Sequence, residues 1–109
     1  MDVGDSELIF ISGQIPKGSD GMVISDNIEK QTECVFERLS VILAEAGAAF
    51  EDVVKLNMYL VDMSEFEKVS AIRNKYVLNS QPAATTIGIS ATVSKGCRIE
   101  VDAIAVKKK

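Results

Sequence analysis

The sequence predicts a single α+β domain over residues 1–109, with two helices packed on one face of a mixed sheet. Three observations favour this fold class. The length of 109 residues fits one domain, and the 47% hydrophobic and 26% charged fractions are those of an ordinary folded protein. Short runs of β-forming residues surround two stretches with helical spacing of apolar residues. Each helical stretch is followed by a strand, which gives the order β-β-α-β-α-β-β.

The first two elements are predicted to be strands that form a hairpin. Residues 8–11 are an apolar run of β-forming residues, and the run ends at Ser12, Gly13 and Pro16. A cluster of turn-forming residues occupies positions 17–21, and residues 22–24 supply a short partner strand.

Each predicted helix begins with a capping signal. Asp26 followed by Glu29, and Ser64 followed by Glu67, have the spacing of capping boxes. Gly47 is a natural stop for the first helix. The apolar or small stripe is Ile28, Thr32, Val35, Leu39, Ile42, Leu43 and Ala46 in the first helix, and Phe66, Val69, Ile72 and Tyr76 in the second.

Three further strands are predicted at residues 52–62, 85–91 and 97–106. Alternation in the first places Val54, Leu56, Met58 and Leu60 on one face, and Val53, Lys55, Asn57, Tyr59 and Val61 on the other. Alternation in the last places Ile99, Val101, Ala103 and Ala105 opposite Arg98, Glu100, Asp102 and Ile104. The second face is too apolar for water and too polar for a sealed core, so association with other copies is expected to cover it.

Charge and residue usage limit the possible functions. The net charge of −4 disfavours nucleic-acid binding, and the terminal Lys107, Lys108 and Lys109 are expected to be a solvated end. The absence of histidine excludes a histidine-based triad and the common zinc sites, so neither a metal nor a cofactor is expected. Cys34 and Cys97 are predicted to be reduced and at least half-buried. Neither a secretory signal nor a membrane span is predicted, and a cytoplasmic location is expected.

Two places in the sequence are candidates for a site. Glu100 lies between apolar strand residues and points to the polar face, where desolvation at an interface would help it to exchange a proton. The alternative is an ordinary solvated strand residue. Gly13, directly after an apolar strand, would let a ligand approach the backbone, and Ser12 adds a hydroxyl. The alternative there is an ordinary strand end.

Five segments in order resemble the RidA/YjgF family of imine deaminases. They are residues 10–16, residues 31–33 continuing to 43–47, residues 52–63, Pro82-Ala83 before Thr85-Thr86, and residues 99–106. The likeness runs from about residue 8 to residue 106, nearly the whole chain. It implies a chorismate-mutase-like homotrimer, a trimeric barrel with a ligand pocket in each cleft between subunits.

The resemblance also implies an activity and a set of site residues. Family members hydrolyse enamine and imine intermediates, such as 2-aminoacrylate, to a 2-oxo acid and ammonia. Glu100 corresponds to the glutamate that orients or activates the water. The predicted ligand-binding residues are Ser12, Gly13, Gln14, Asn57, Ala84, Thr85, Thr86 and Arg98. The expected ligand is a small molecule like a 2-oxo or imino acid.

Ala84 stands where the family has an arginine that clamps the substrate carboxylate. Losing that charge-assisted pair would cost about 1.5–3 kcal/mol. Arg98 is two residues before Glu100 on the same strand face, roughly 6–7 Å away, and could supply a guanidinium instead. The alternative for Arg98 is an ion pair with Glu100 or Asp102. A deaminase and a non-catalytic ligand-binding trimer are therefore both kept, and an endoribonuclease is least favoured.

Overall fold

The computed structural model describes residues 4–108. Residues 1–3, which belong to the segment where no secretory signal is predicted, and Lys109 of the terminal lysines lie outside the described residues. The elements are β1 Ser6–Gln14, α1 Ile28–Glu45, β2 Val53–Leu60, α2 Phe66–Tyr76, β3 Ala83–Gly88 and β4 Ile99–Lys108. Single 3₁₀ turns at Phe50–Asp52 and Met63–Glu65 lead into β2 and α2.

The four strands form one mixed sheet in the order β1-β4-β2-β3. β4 is antiparallel to both of its neighbours, and β3 is parallel to β2. Both helices pack against one face, so the predicted class of two helices on a mixed sheet is confirmed. β1 and β3 are the two edges of this sheet.

The predicted strand at residues 22–24 is wrong. This segment makes only an isolated bridge between Lys17 and Val23, so the observed order is β-α-β-α-β-β. Met22 and Ile24 are 66% and 42% exposed. A three-residue segment whose apolar side chains find no core to cover gains too little from pairing to extend into a strand.

Both predicted capping boxes are wrong, although both helices are predicted in the right place. Asn27, not Asp26, caps α1, since its side chain accepts a hydrogen bond from the Lys30 backbone N–H at 2.9 Å. Before α2, Asp62 accepts from the backbone N–H of Ser64 at 3.0 Å and thereby caps the 3₁₀ turn instead. The stop at Gly47 is confirmed by its φ of +74°.

The core lies between the helices and one face of the sheet. α1 buries Ile28, Gln31, Thr32, Val35, Phe36, Leu39 and Leu43. In β4 the predicted alternation is confirmed, because Ile99, Val101, Ala103 and Ala105 are all buried. In β2 the register shifts between Val53 and Lys55, which makes Val54 the extra residue of a β-bulge. Val53 is therefore buried and Val54 half-buried, the reverse of the predicted faces at these two positions.

Gln31 on α1 ties the loop before β4 to the helix. Its side chain is fully buried, and its amide N–H groups donate to the carbonyl oxygens of Ser25 at 2.8 Å and Gly96 at 2.9 Å. Its side-chain oxygen accepts from the Arg98 backbone N–H at 2.9 Å. A buried amide with three satisfied partners fixes where β4 begins, and thus where Glu100 lies.

Two further observations concern the cysteines and the helices. Cys34 is half-buried and Cys97 is buried, as predicted, and both are free thiols whose pKa burial raises. Within residues 4–108, neither helix is both long and apolar enough to cross a bilayer.

Candidate functional site

The sheet face that points away from the helices, called here the open face, is defined by the strand register. Partners across neighbouring strands share a face, and the register pairs Phe10 with Ile104, Glu100 with Tyr59, and Tyr59 with Ile87. The open face therefore comprises Leu8, Phe10, Lys55, Asn57, Tyr59, Ala83, Thr85, Ile87, Glu100, Asp102, Ile104 and Val106.

The edges of the open face are apolar and exposed. Phe10 is 71%, Leu8 53% and Ile87 45% exposed in the isolated chain. Large apolar side chains gathered on one face, rather than scattered singly, are typical of an interaction surface. The predicted half-polar face that needs cover is therefore present in the structure.

A polar cluster occupies the middle of the open face. Asp102 accepts a hydrogen bond from the Asn57 side-chain N–H at 2.8 Å and another from the Tyr59 hydroxyl at 3.0 Å. The hydrogen bond to Asp102, then burial, raises the pKa of Tyr59. Lys55 donates to the Thr85 hydroxyl at 2.6 Å. Asn57, predicted to bind ligand, is thus engaged with Asp102 in the isolated chain.

Glu100 and Gly13 come together at the β1–β4 seam. The pairing shifts register between Ile11 and Gln14, so Ser12 and Gly13 form a bulge beside β4. The Glu100 carboxyl lies directly over Gly13, and a Cβ at position 13 would be 2.6 Å from the Glu100 Cδ. Only glycine leaves room for that carboxyl in this position. The structure brings these two predicted residues together, with Ser12 beside them.

Gln14 is the next residue along the β1–β4 seam, and its side chain already has hydrogen-bond partners. Its amide N–H donates to the Ser12 carbonyl at 3.0 Å, and its side-chain oxygen accepts from the Arg38 Nε at 3.3 Å. The same arginine donates to the Lys17 carbonyl at 2.9 Å. Gln14 thus links the bulge to α1 and helps to hold the bulge in place.

The other predicted residues lie at the opposite edge of the sheet. Ala84 and Thr86 pair with Leu56 and Met58, whose side chains are in the core, so both face the helix side. Glu100 points to the open face, and β2 lies between β4 and β3. The strands that carry the two groups are therefore two strand spacings, or ~10 Å, apart, and the groups are on opposite faces. One chain does not bring Ala84 to its own Glu100.

Arg98 is held by a different carboxylate from the one expected. Its Nε and Nη2 donate to the two carboxylate oxygens of Glu65 at 3.0 and 3.1 Å. The expected ion pair with Glu100 or Asp102 is wrong, because Arg98 precedes the first residue of β4 and points to the turn before α2. The bond to Glu65 raises the pKa of Arg98. A ligand carboxylate would have to displace Glu65 to bind this guanidinium.

A second arginine was not recognised in the sequence. Arg73, in the last turn of α2, lines a cleft of about 320 Å³ together with Pro82 and Ala84. Neither the helical spacing of α2 nor the alternation of β3 shows that this arginine lies near the strand, which begins ten positions later in the chain. The only available signal was the position of this arginine at the end of the helix that precedes the Pro82-Ala83 segment.

The chain is similar to a well-populated family. The family model described as endoribonuclease L-PSP matches residues 2–107. A RutC family protein of Pyrococcus abyssi is 39% identical over 101 residues, covering 92% of this chain and 79% of that protein. AldR of Lactococcus lactis, provisionally named a regulator, is 36% identical and covers 93% of this chain and 80% of its own. A crystal structure of a Thermotoga maritima protein, provisionally called an endoribonuclease, matches with a TM-score of 0.88 at 33% identity, covering 99% and 84%.

Proposed function

Because this chain belongs to the RidA/YjgF family, whose model is described as endoribonuclease L-PSP, we propose that it is a hydrolase of small 2-imino or enamine acids. The products are a 2-oxo acid and ammonia. The working form is a homotrimer with one site in each cleft between neighbouring copies.

The contact between Glu100 and Gly13 carries this proposal. A carboxylate that faces solvent needs no glycine beneath it, yet the Glu100 Cγ would be 2.9 Å from a Cβ at position 13. Ser12 precedes Gly13 in the same bulge, so its hydroxyl is one residue from the position that the carboxylate covers. This combination supports a small site in which Glu100 is held in one position.

The reaction that fits these groups is water addition to a C=N bond. The Glu100 carboxylate takes a proton from water as the water oxygen bonds to the imine carbon, and it passes that proton to the imine nitrogen, which gives a neutral carbinolamine. The tetrahedral intermediate then forms a C=O bond and breaks its C–N bond, releasing ammonia. In that second step Glu100 takes the hydroxyl proton of the intermediate and delivers it to the departing nitrogen, so the enzyme is unchanged and no redox partner is required.

Assembly supports the same proposal. The open face exposes Phe10, Leu8 and Ile87, which a second and third copy would cover. Since Ala84 and Glu100 of one chain are on opposite faces of the sheet, a cleft that includes both has to be built from two copies.

A non-catalytic ligand-binding trimer is the second candidate, and Ala84 is the observation that favours it. Alanine has no donor for a substrate carboxylate, so a cleft shaped like a deaminase site could hold a ligand without turnover. The 36% identity to AldR, provisionally named a regulator, fits this alternative. RNA cleavage is third, because the chain is acidic and has no histidine.

The test is an assay of purified protein on 2-iminobutanoate generated in situ, with 2-oxobutanoate measured over time. Wild-type protein is expected to exceed the rate of buffer decay, and Glu100→Gln to lose about 10²- to 10⁴-fold of that excess. Glu67→Gln, an exposed carboxylate on α2, is the matched control and should keep full activity.

Each outcome of this assay separates the candidates. Wild-type protein that binds 2-oxobutanoate but gives no acceleration would favour the non-catalytic binder. Acceleration that survives Glu100→Gln would contradict the assigned role of Glu100. Ala84→Arg, which installs the family's guanidinium, is expected to raise the rate about tenfold or more if carboxylate binding limits it.

A further inference from the structure

A cleft on the helix side of the sheet lies where the chain passes from α2 into β3. Its volume is about 320 Å³, within the range of small-molecule sites. Its lining includes Arg73, Asn74, Val77, Gln81, Pro82 and Ala84. The walls are thus largely apolar, with one guanidinium and two side-chain amides.

We propose that this cleft binds the carboxylate of a small organic acid, and that Arg73 supplies the guanidinium that Ala84 lacks. The identity of the acid rests on the proposed function: a 2-imino acid as substrate and the 2-oxo acid as product. A guanidinium binds a carboxylate through two parallel N–H donors, and an apolar wall accommodates a short alkyl chain.

Arg73 is free to bind an anion. Its Nε donates to the Asn74 side-chain oxygen at 3.1 Å and its Nη2 to the Ser70 hydroxyl at 2.8 Å, and both acceptors are neutral. Over residues 4–108, no carboxylate lies within 4.0 Å of this guanidinium, whereas Arg98 is paired with Glu65. These two bonds position Arg73 and leave its other N–H donors for a ligand.

Ala84 keeps the cleft open. It faces the helix side on an edge strand and is exposed, and its methyl group forms part of the cleft wall. A longer side chain at this position would project into the same cleft. The small residue on β3 and the cation on α2 therefore complement each other.

The backbone next to the cleft is strained. Gln81 has a φ of +43°, and among residues 4–108 it alone combines a side chain with the left-handed conformation. Its N–H donates to the Val77 carbonyl at 3.0 Å, which closes the turn between α2 and Pro82. Strain of this kind persists where the surrounding structure requires it, and here it shapes one wall of the cleft.

The test is an NMR titration with 2-oxobutanoate, using its uncharged amide, 2-oxobutanamide, as the control ligand. The acid is expected to shift the methyl signals of Val77 and Ala84. Arg73→Gln is expected to weaken acid binding about tenfold or more and to leave amide binding unchanged. Lys75→Gln, which removes the same charge from an exposed position on α2, should bind the acid as wild type does.

A double variant shows whether Arg73→Gln loses acid binding because the guanidinium is missing or because the variant misfolds. Ala84→Arg in the Arg73→Gln background should restore acid binding, because it returns a guanidinium to the same cleft. An unchanged acid affinity in Arg73→Gln, shifts confined to the Gly13 seam, or no acid binding by wild type would each overturn the inference. Acid binding that depends on Arg73 without any turnover would refute only the proposed deamination.

Discussion

The two faces of the sheet both carry apolar side chains but have opposite surroundings. On the helix side, Phe36 is fully buried, and its ring lies 5.2 Å from that of Tyr76 and 6.1 Å from that of Phe50. On the open face, Phe10 is 71% exposed. The helix side thus holds the core, and the open face leaves large apolar side chains exposed in one chain.

The difference explains where the candidate site lies. The side chains buried beneath the helices form the core and support stability. On the open face, Glu100 lies over Gly13, and the Asp102 cluster is surrounded by exposed apolar residues. Association through the open face, as proposed above, would change the surroundings of these groups most.

The largest expected effect is a difference in the free energy of unfolding between substitutions on the two faces. Phe36→Ala should lower the free energy of unfolding by about 3–5 kcal/mol, because it removes a fully buried ring from the cluster with Phe50 and Tyr76. Phe10→Ala is the matched control and should cost well under half as much at concentrations where the protein is monomeric. Urea denaturation measures both, and equal losses would contradict the distinction.

Gly13→Ala should separate function from stability on the open face. The atoms that a Cβ would meet are at the flexible end of Glu100, so the side chain can move aside at a cost below about 1 kcal/mol. The displaced carboxylate should then lower deaminase activity or ligand affinity about tenfold or more. Gly18→Ala in the turn before α1 is the control. Full activity in Gly13→Ala would show that the close contact is unnecessary.

Tyr76→Phe should flatten the alkaline pH dependence of stability. Burial, then the hydrogen bond to Glu37 at 2.7 Å, raises the pKa of Tyr76 from 10.0 to about 12. Because the unfolded chain loses this proton first, stability present below pH 10 is lost as the pH rises toward 12. The variant should also be about 1 kcal/mol less stable at neutral pH. Identical pH profiles would rule out the assigned cause.

Gln81→Gly should give the smallest change, a gain in stability of up to about 1 kcal/mol. Glycine adopts a φ of +43° without a Cβ penalty, and its greater freedom in the unfolded chain offsets part of the resulting gain in stability. Thermal unfolding measures the gain. A large loss instead would mean that the Gln81 side chain holds the turn.

The sequence predicts those parts of the fold that depend on local pattern. The alternation in β4 places Glu100 correctly, and Gly47 ends α1 as its conformational freedom suggests. The family resemblance places Glu100 and Gly13 in one site. The structure adds a reason for glycine at position 13, because a Cβ there would meet the Glu100 side chain. These features each depend on one strand, one helix end or one known motif.

The wrong or missing predictions concern features that depend on a choice between two similar neighbours or on two segments far apart in the chain. Asn27 and Asp26 are neighbours with the same capping chemistry, so sequence does not rank them. The bulge at Val54 depends on the register with β4. The approach of Arg73 to Ala84 requires α2 and β3 to be placed in space, which no local pattern provides.

The mass of the protein in solution tests the central claim that copies of the chain cover the open face. Sedimentation equilibrium at micromolar concentration should give about three times the chain mass of 11.8 kDa. Phe10→Glu, which places a charge on the apolar edge of the open face, should reduce this to one chain mass with α1 and α2 still folded. A wild-type protein that sediments at 11.8 kDa, with Glu100 open to bulk water, would contradict the account.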